Sequence, residues 1–239
     1  MNGIFRLSPT ESLSVVAILL LIGLIVLVIP LLILGLAGAA FSRLGFSWIE
    51  AMVVILLMLL GSVVNIPLWT FRRRWGNTET DKPLVFDAFS GEPVPVEQPV
   101  TELSINLGGA VIPLVVSMYL LFQAHQLEGD MLLIRAGIAL TIVALMTRMS
   151  TTIISPYGVR APLLVPAVSA LVLGLILGGG TGLPAAVIAF AGGTMGTVLG
   201  AGLLTLPQVR NRGVSRISIG GSGMFGAVIL CGLLAALIA

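Results

Sequence analysis

The stretch LPAAVIAFAGGTMGTVLGAGLLTLP, residues 183–207, decides the fold class of this chain. It is long enough for a bilayer core about 30 Å thick, which requires about 20 apolar residues in a helix. Gly192, Gly196 and Gly200 recur every four residues, so they share one helix face. Small residues at that spacing let two membrane helices approach closely. The stretch therefore predicts a membrane helix with a glycine zipper, and we expect its neighbour in sequence to fill the groove.

The next apolar stretch, ISIGGSGMFGAVILCGLLAALIA at residues 217–239, supplies that neighbour. Within it we predict helix-packing contacts for Gly220 and Gly223. Gly221, Gly223 and Gly226 also match the spacing of a dinucleotide-binding fingerprint. That fingerprint needs a preceding strand, a βαβ unit and an acidic residue about 20 positions later, and no acidic residue follows here. We therefore interpret these glycines as packing residues.

The composition of the whole chain supports a membrane protein. Of its 239 residues, 57% are hydrophobic and 9% are charged, and the mean hydropathy is +1.14. Soluble domains carry about 25% charged residues. The strands of membrane β-barrels alternate polar and apolar residues, whereas the long stretches here are continuously apolar. We therefore predict an all-α membrane protein that forms a single polytopic domain. Seven spans are predicted, at residues 13–40, 48–69, 103–124, 131–148, 162–177, 183–207 and 217–239.

Basic residues are distributed unevenly over the predicted loops. With seven spans, Arg43 and Arg135 lie on one side, and the other ten of the twelve Lys and Arg residues lie on the opposite side. Cytoplasmic loops carry an excess of Lys and Arg, so we expect a cytoplasmic N-terminus and an outside C-terminus. The expected location is the inner membrane of a prokaryote. Since the basic residues flank spans and the net charge is only +2, we expect no nucleic-acid partner.

Residues 71–102 form the only long polar segment between predicted spans. The stretches 84–89 and 94–100 have a β-like composition on either side of Ser90-Gly91, which permits a small hairpin. Prolines in and beside the second stretch favour an edge strand or an extended segment.

The ionisable residues are placed unfavourably for intramembrane chemistry. All ten acidic residues lie at or before Asp130, and His125 is the only histidine. Aspartyl proteolysis needs two carboxylates that share a proton, and a zinc site needs His and carboxylate ligands. Neither set stands at membrane depth in the predicted spans. We therefore predict no catalytic residue, no metal site and no cofactor.

Asn65 and Asn106 place polar amides within predicted apolar spans, and an Ile-Pro pair follows each of them within seven positions. In lipid an amide usually bonds a neighbouring helix, and a proline frees backbone carbonyls for such bonds. Two interpretations stay open, namely a structural hydrogen bond between helices and a binding site for a ligand or ion.

Several short motifs follow one another from about residue 61 onward. They are Asn65-Ile66-Pro67, Asn106-Leu107-Gly108-Gly109 with Ile112-Pro113, Arg160-Ala161-Pro162 with Pro166, Gly193 to Ala201, and Ser218 to Phe225. In this order they resemble a prokaryotic membrane family known only as the domain of unknown function number 1614. The resemblance covers about three quarters of the chain.

The resemblance also has an implication for activity. Members of that family have Asp at the positions occupied here by Gly202 and Gly226. Two such acids on adjacent helices resemble an intramembrane aspartyl protease arrangement, so the resemblance implies that this member is inactive by that mechanism. It further implies that Gly202 and Gly226 face the seam between the sixth and seventh spans.

Three functions remain open. The favoured one is a non-enzymatic scaffold or accessory subunit of a larger membrane complex, with the lipid bilayer and other membrane subunits as partners. The second is a transporter or a lipid- or solute-binding protein that uses Asn65 and Asn106. The third is an intramembrane hydrolase of unrecognised chemistry.

Overall fold

The computed structural model describes most of the chain from residue 20 onward. The described residues are 20–28, 31, 35, 38, 41–72, 85–86, 93–94, 100–154, 158–211 and 214–238. Residues 20–28 of the first predicted span are helical, whereas its first residues, 13–19, lie outside the described part.

Helices make up most of the described chain. They are α1 (Trp48–Gly61), α2 (Ile112–Glu128), α3 (Asp130–Ser150), α4 (Leu164–Gly178), α5 (Leu183–Thr197), α6 (Leu206–Asn211) and α7 (Phe225–Leu237). Two π-helical turns, Leu107–Val111 and Val198–Leu203, precede α2 and follow α5. Helix α1 begins with a capping box, because Glu50 N donates to the Ser47 hydroxyl and Ser47 N donates to the Glu50 carboxylate.

In the described part of the chain, seven short strands form three small sheets. The strands are β1 (Asn65–Arg72), β2 (Val85–Phe86), β3 (Pro93–Val94), β4 (Val100–Asn106), β5 (Thr152–Ile154), β6 (Gly158–Arg160) and β7 (Arg216–Ile219). The largest sheet has the order β1-β4-β7, with β1 antiparallel and β7 parallel to β4. Strands β5 and β6 pair antiparallel. Strands β2 and β3 also pair antiparallel, within the segment whose sequence permits a hairpin.

The three-stranded sheet corrects the predicted bounds of three spans. Residues 48–69, 103–124 and 217–239 are not continuous helices, because each range contains a strand of this sheet. Proline at position 67 cannot continue a helix, and Gly220, with φ +75°, lies between β7 and α7. The strands directly adjoin apolar helices, and a short segment with several apolar residues does not distinguish a strand from the end of a helix.

The predominantly helical class is confirmed. Among the described residues, three helices are long and apolar enough to cross a membrane, and α1, α4 and α7 are shorter apolar helices. The three long ones are Leu107–Glu128, Asp130–Ser150 and Leu183–Val209. The count of seven spans and the orientation of the termini stay predictions.

Helix α5 lies at the centre of the bundle. It packs against α2, α3, α4 and α7, and its residues from Ala185 to Gly193 are all buried. A helix that is apolar all round is expected in such a core position. The stretch that fixes the fold class is therefore also the hub of the packing.

Candidate functional site at the junction of sheet and helices

Asn106 lies where β4 ends and the first π-helical turn begins, and it is 1% exposed. Its Nδ2 donates to Ser62 O at 2.7 Å, to Val64 O at 3.3 Å and to Asn65 Oδ1 at 3.1 Å. Its Oδ1 accepts from Gly109 N at 2.7 Å. Both ends of this amide are thus bonded within the chain, which favours the structural interpretation of Asn106.

Asn65 is exposed and lies opposite Asn106 in the β1–β4 register. Besides the bond from Asn106, its Oδ1 accepts a hydrogen bond from the hydroxyl of Ser218 in β7. One amide oxygen therefore links all three strands of the sheet. Helix α1 leads into this junction, and α2 and α7 lead out of it.

Glycines bring the backbones at this junction into direct contact. A Cβ on Gly61 would lie 2.9 Å from Gly108 N, and a Cβ on Gly108 would meet the carbonyl of Met58. A Cβ on Gly220 would lie 2.5 Å from Gly109 C. No side chain fits between these backbones, which is a use of glycine that its missing Cβ allows.

Gly220 and Gly223 lie in the turn before α7, so the prediction that they pack within a helix is wrong. A Cβ on Gly223 would meet the carbonyl of Val159 in β6, and Gly223 O accepts from Ala161 N at 2.9 Å. Through Gly220 the turn contacts the first π-helical turn, and through Gly223 it contacts β6. Their positions differ from the prediction because α7 begins only at Phe225.

Gly192, Gly196 and Gly200 face α3, not the neighbouring segment in sequence. A Cβ on Gly192 would lie 2.8 Å from Ala139 Cβ, and one on Gly196 would lie 2.8 Å from Val143 Cβ. A Cβ on Gly200 would meet the backbone of Ala144 in α3, 3.0 Å from its carbonyl carbon. Small residues on α3 make this approach possible, whereas α7 packs on a different face of α5.

The positions that the family resemblance singles out have different neighbours. A Cβ on Gly202 would lie 2.8 Å from Ile219 Cγ2, in β7. Among the described residues, a Cβ on Gly226 would come within 4 Å only of Leu163, at 2.7 Å. Since Gly226 lies in the first turn of α7, beside the entry to α4, the expectation that both face one seam with α5 is wrong for Gly226.

A groove of about 400 Å³, with polar and apolar side chains in its lining, lies along the three-stranded sheet. Glu102 in β4 and Arg216 in β7 are register partners, and their side chains form an exposed ion pair with 3.1 Å between Oε2 and Nε. Trp69 of β1 lines the groove and is 68% exposed. Asn65 and Ser218 lie in the same groove. We call it the sheet groove.

Two hydroxyls inside the helix bundle bond each other, because Ser117 Oγ and Thr194 Oγ1 lie 2.6 Å apart. Pro113 O and Phe190 O lie 2.7 Å from Ser117 Oγ and Thr194 Oγ1 respectively, and since each hydroxyl has one proton, one hydroxyl donates to the other, which donates to its carbonyl. Thr147 Oγ1 in α3 is buried and has no hydrogen-bond partner among the described residues. Among the described residues, no three His, Cys, Asp or Glu side chains are grouped so that they could hold a metal ion. The arrangement is suited to hold helices together.

Sequence reasoning missed Glu102, Arg216 and Ser218 as residues of the junction. The usable signal was the alternation in β7, where Ile217 and Ile219 are buried and Ser218 between them is only partly buried. Alternation with period two indicates a half-buried strand. Its short length, directly before an apolar helix, concealed it.

Comparison with known proteins identifies the family of the chain. A family model described as "Protein of unknown function (DUF1614)" matches residues 59–238. The match begins near the end of α1 and includes the whole junction, and it confirms the resemblance seen in the sequence. No curated protein and no solved structure matches the chain.

Proposed function

The chain belongs to the family described as a protein of unknown function (DUF1614), and we propose that it is a non-enzymatic integral membrane scaffold or accessory subunit of a larger membrane complex. The observation that carries the proposal is the junction itself. Both the Nδ2 and the Oδ1 of Asn106 form hydrogen bonds within the chain, and at the glycines the backbones of helices and sheet are in contact. Such contacts favour a fixed position of the sheet on the bundle.

The sheet groove is the exposed surface at this junction that we propose binds a partner subunit. It carries both charges of the Glu102–Arg216 pair and the exposed indole of Trp69. Aromatic and arginine side chains are enriched where proteins bind proteins. The helix faces on the outside of the bundle are apolar, as contact with lipid requires. We therefore place the contact with a partner subunit at the groove.

The proposed orientation puts the sheet groove in the cytoplasm of a prokaryote, below the inner membrane. Arg216 lies in β7, Arg160 lies in β6, which contacts β7, and Arg148 donates to Leu204 O just after the π-helical turn that also contacts β7. Basic residues favour the cytoplasmic side. The other end includes Ile238, whose carbonyl accepts from Gly182 N.

A cysteine placed at position 239 is expected to react with an impermeant reagent only from outside, and labelling only from the cytoplasm would contradict seven spans.

Site-specific photo-cross-linking tests the scaffold proposal. A photoreactive amino acid at Thr70, which is exposed in the sheet groove, should give a discrete protein adduct in the native membrane. The same amino acid at Ile134, which is exposed on α3, is the matched control and should give lipid adducts. Purification in mild detergent and mass spectrometry then identify the cross-linked subunit. Lipid adducts alone from both positions would contradict a partner at the groove.

A further inference from the structure

A second, apolar space lies inside the bundle, away from the sheet groove. It is a cavity of about 80 Å³ between α1, α5 and α7. Ile55 and Met58 line it from α1, Phe190 from α5, and Val228 and Gly232 from α7. The cavity exists because these helices do not close on one another here.

The walls of the cavity offer nothing to a polar ligand. Of the described residues in the lining, Thr194 alone is polar, and its hydroxyl lies 2.7 Å from Phe190 O and 2.6 Å from Ser117 Oγ. A buried water needs two to four polar partners, and cavities lined by Leu, Ile and Phe stay dry and bind apolar molecules. The chemistry of the lining therefore selects a hydrocarbon.

The cavity borders the surface that faces lipid. Leu59 contributes to its lining and is 41% exposed on the outside of α1. Leu233, which lines it from α7, is partly buried. The apolar lining of the cavity therefore continues to the outer side of α1, which a hydrocarbon of the bilayer contacts.

We propose that this cavity binds the end of one acyl chain of a membrane phospholipid, held between α1 and α7. An empty cavity in a packed core is destabilising in proportion to its volume, and acyl chains are the hydrocarbon that surrounds these helices. The space is narrower than the ~150 Å³ cavity that accepts an aromatic ring, so a linear chain fits it better. Gly232 keeps it open, because a Cβ there would lie 3.0 Å from the ring of Phe190.

The test uses the full chain in nanodiscs made of phosphatidylcholine that carries a diazirine near the end of one acyl chain. After illumination, mass spectrometry locates the adducts. We expect adducts on Val228 and Gly232, which are buried, in addition to adducts on outward residues such as Leu237, which is 67% exposed. Adducts confined to outward residues would overturn the proposal.

A pair of variants on α7 separates occupancy from nonspecific labelling. Leu233→Trp adds a large side chain at the lining, and Leu237→Trp adds the same side chain outside the cavity. The first should abolish the adducts on Val228 and Gly232, whereas the second should leave them unchanged. Persistence of these adducts in folded Leu233→Trp would also overturn the proposal. If Leu233→Trp does not fold, the adduct map of the unmodified chain decides alone. The result is independent of whether a partner binds the sheet groove.

Discussion

The α3–α5 seam and the junction of sheet and helices both depend on glycine, but they use it differently. In the seam, a Cβ on Gly192 or Gly196 would meet the Cβ of Ala139 or Val143 and then the backbone of α3, and a Cβ on Gly200 would meet the carbonyl of Ala144. The seam glycines therefore let two helices approach closely, and dispersion stabilises the pair. At the junction, Gly109 and Gly220 bring backbone against backbone, and Asn106 supplies hydrogen bonds to that backbone. The seam glycines provide packing contacts, whereas the junction combines close backbone contacts with the hydrogen bonds of a buried amide, so only the junction should respond strongly to the loss of one amide side chain.

The largest effect is expected for Gly109→Ala. Its new Cβ would lie 3.0 Å from Gly220 C and 2.9 Å from Phe225 Cδ2, and would also meet Gly220 O. Since two backbones would have to separate, we expect a loss of about 4 kcal/mol or failure to fold, which marks the severe end of point substitutions. Thermal unfolding in detergent measures the effect.

Gly137→Ala is the matched control for that substitution. Among the described residues, a Cβ on Gly137 would have no neighbour within 4 Å. Replacing a helical glycine there should leave stability unchanged or raise it by about 0.5–1 kcal/mol. Equal melting temperatures for Gly109→Ala and Gly137→Ala would show that the junction backbones are not in contact.

The second effect is expected in the seam, for Gly196→Leu. A Cβ there would lie 2.8 Å from Val143 Cβ, and the rest of the leucine would force α3 and α5 apart. We expect a loss of about 1–3 kcal/mol, the usual range for overpacking. Leu203→Ala, at a side chain that is 47% exposed, should lower the melting temperature far less. A parent-like melting temperature for Gly196→Leu would refute close contact with α3.

The seam was partly predictable from sequence, because its contacts repeat with the helix period. The spacing of Gly192, Gly196 and Gly200 indicates a packing face, but it does not indicate which helix fills it. Both α3 and α7 contain small residues, so the choice depends on the fold of the whole chain. The expectation of α7 was wrong for that reason.

The junction was hardly predictable, because its partners are far apart along the chain. Asn106 bonds Asn65 across 41 positions, and Asn65 bonds Ser218 across 153. The periodicity of a single sequence relates only residues that are close together within one helix or strand. It could identify Asn65 and Asn106 as unusual polar residues in apolar surroundings, but not the sheet that brings them together.

The third prediction compares the stability lost on removing the Asn106 amide at the junction with that lost on removing the Thr194 hydroxyl in the bundle. Asn106→Leu would leave Gly109 N without its acceptor and would remove the donor to Ser62 O. Unsatisfied buried groups cost about 1–3 kcal/mol each, so we expect a loss in that range. Thr194→Val should cost about 0.6 kcal/mol, the average for hydrogen bonds between membrane helices. Equal losses for the two variants would contradict a special role of Asn106.

The smallest effect on stability is expected at the sheet groove, for Arg216→Glu. The Glu102–Arg216 pair is exposed, and exposed pairs contribute about 0–1 kcal/mol, so the variant should melt close to the parent.

If the groove docks a partner, however, the reversed charge should reduce the protein adduct formed from the cross-linker at Thr70. The double variant Glu102→Arg, Arg216→Glu restores the ion pair with the charges exchanged, so it distinguishes the two roles. A parent-like melting temperature of the double variant without recovery of the adduct would indicate that the partner recognises the positions of these charges, as a docking surface requires. An adduct of parental intensity in Arg216→Glu would instead assign the ion pair to the sheet alone and remove it from the proposed interface.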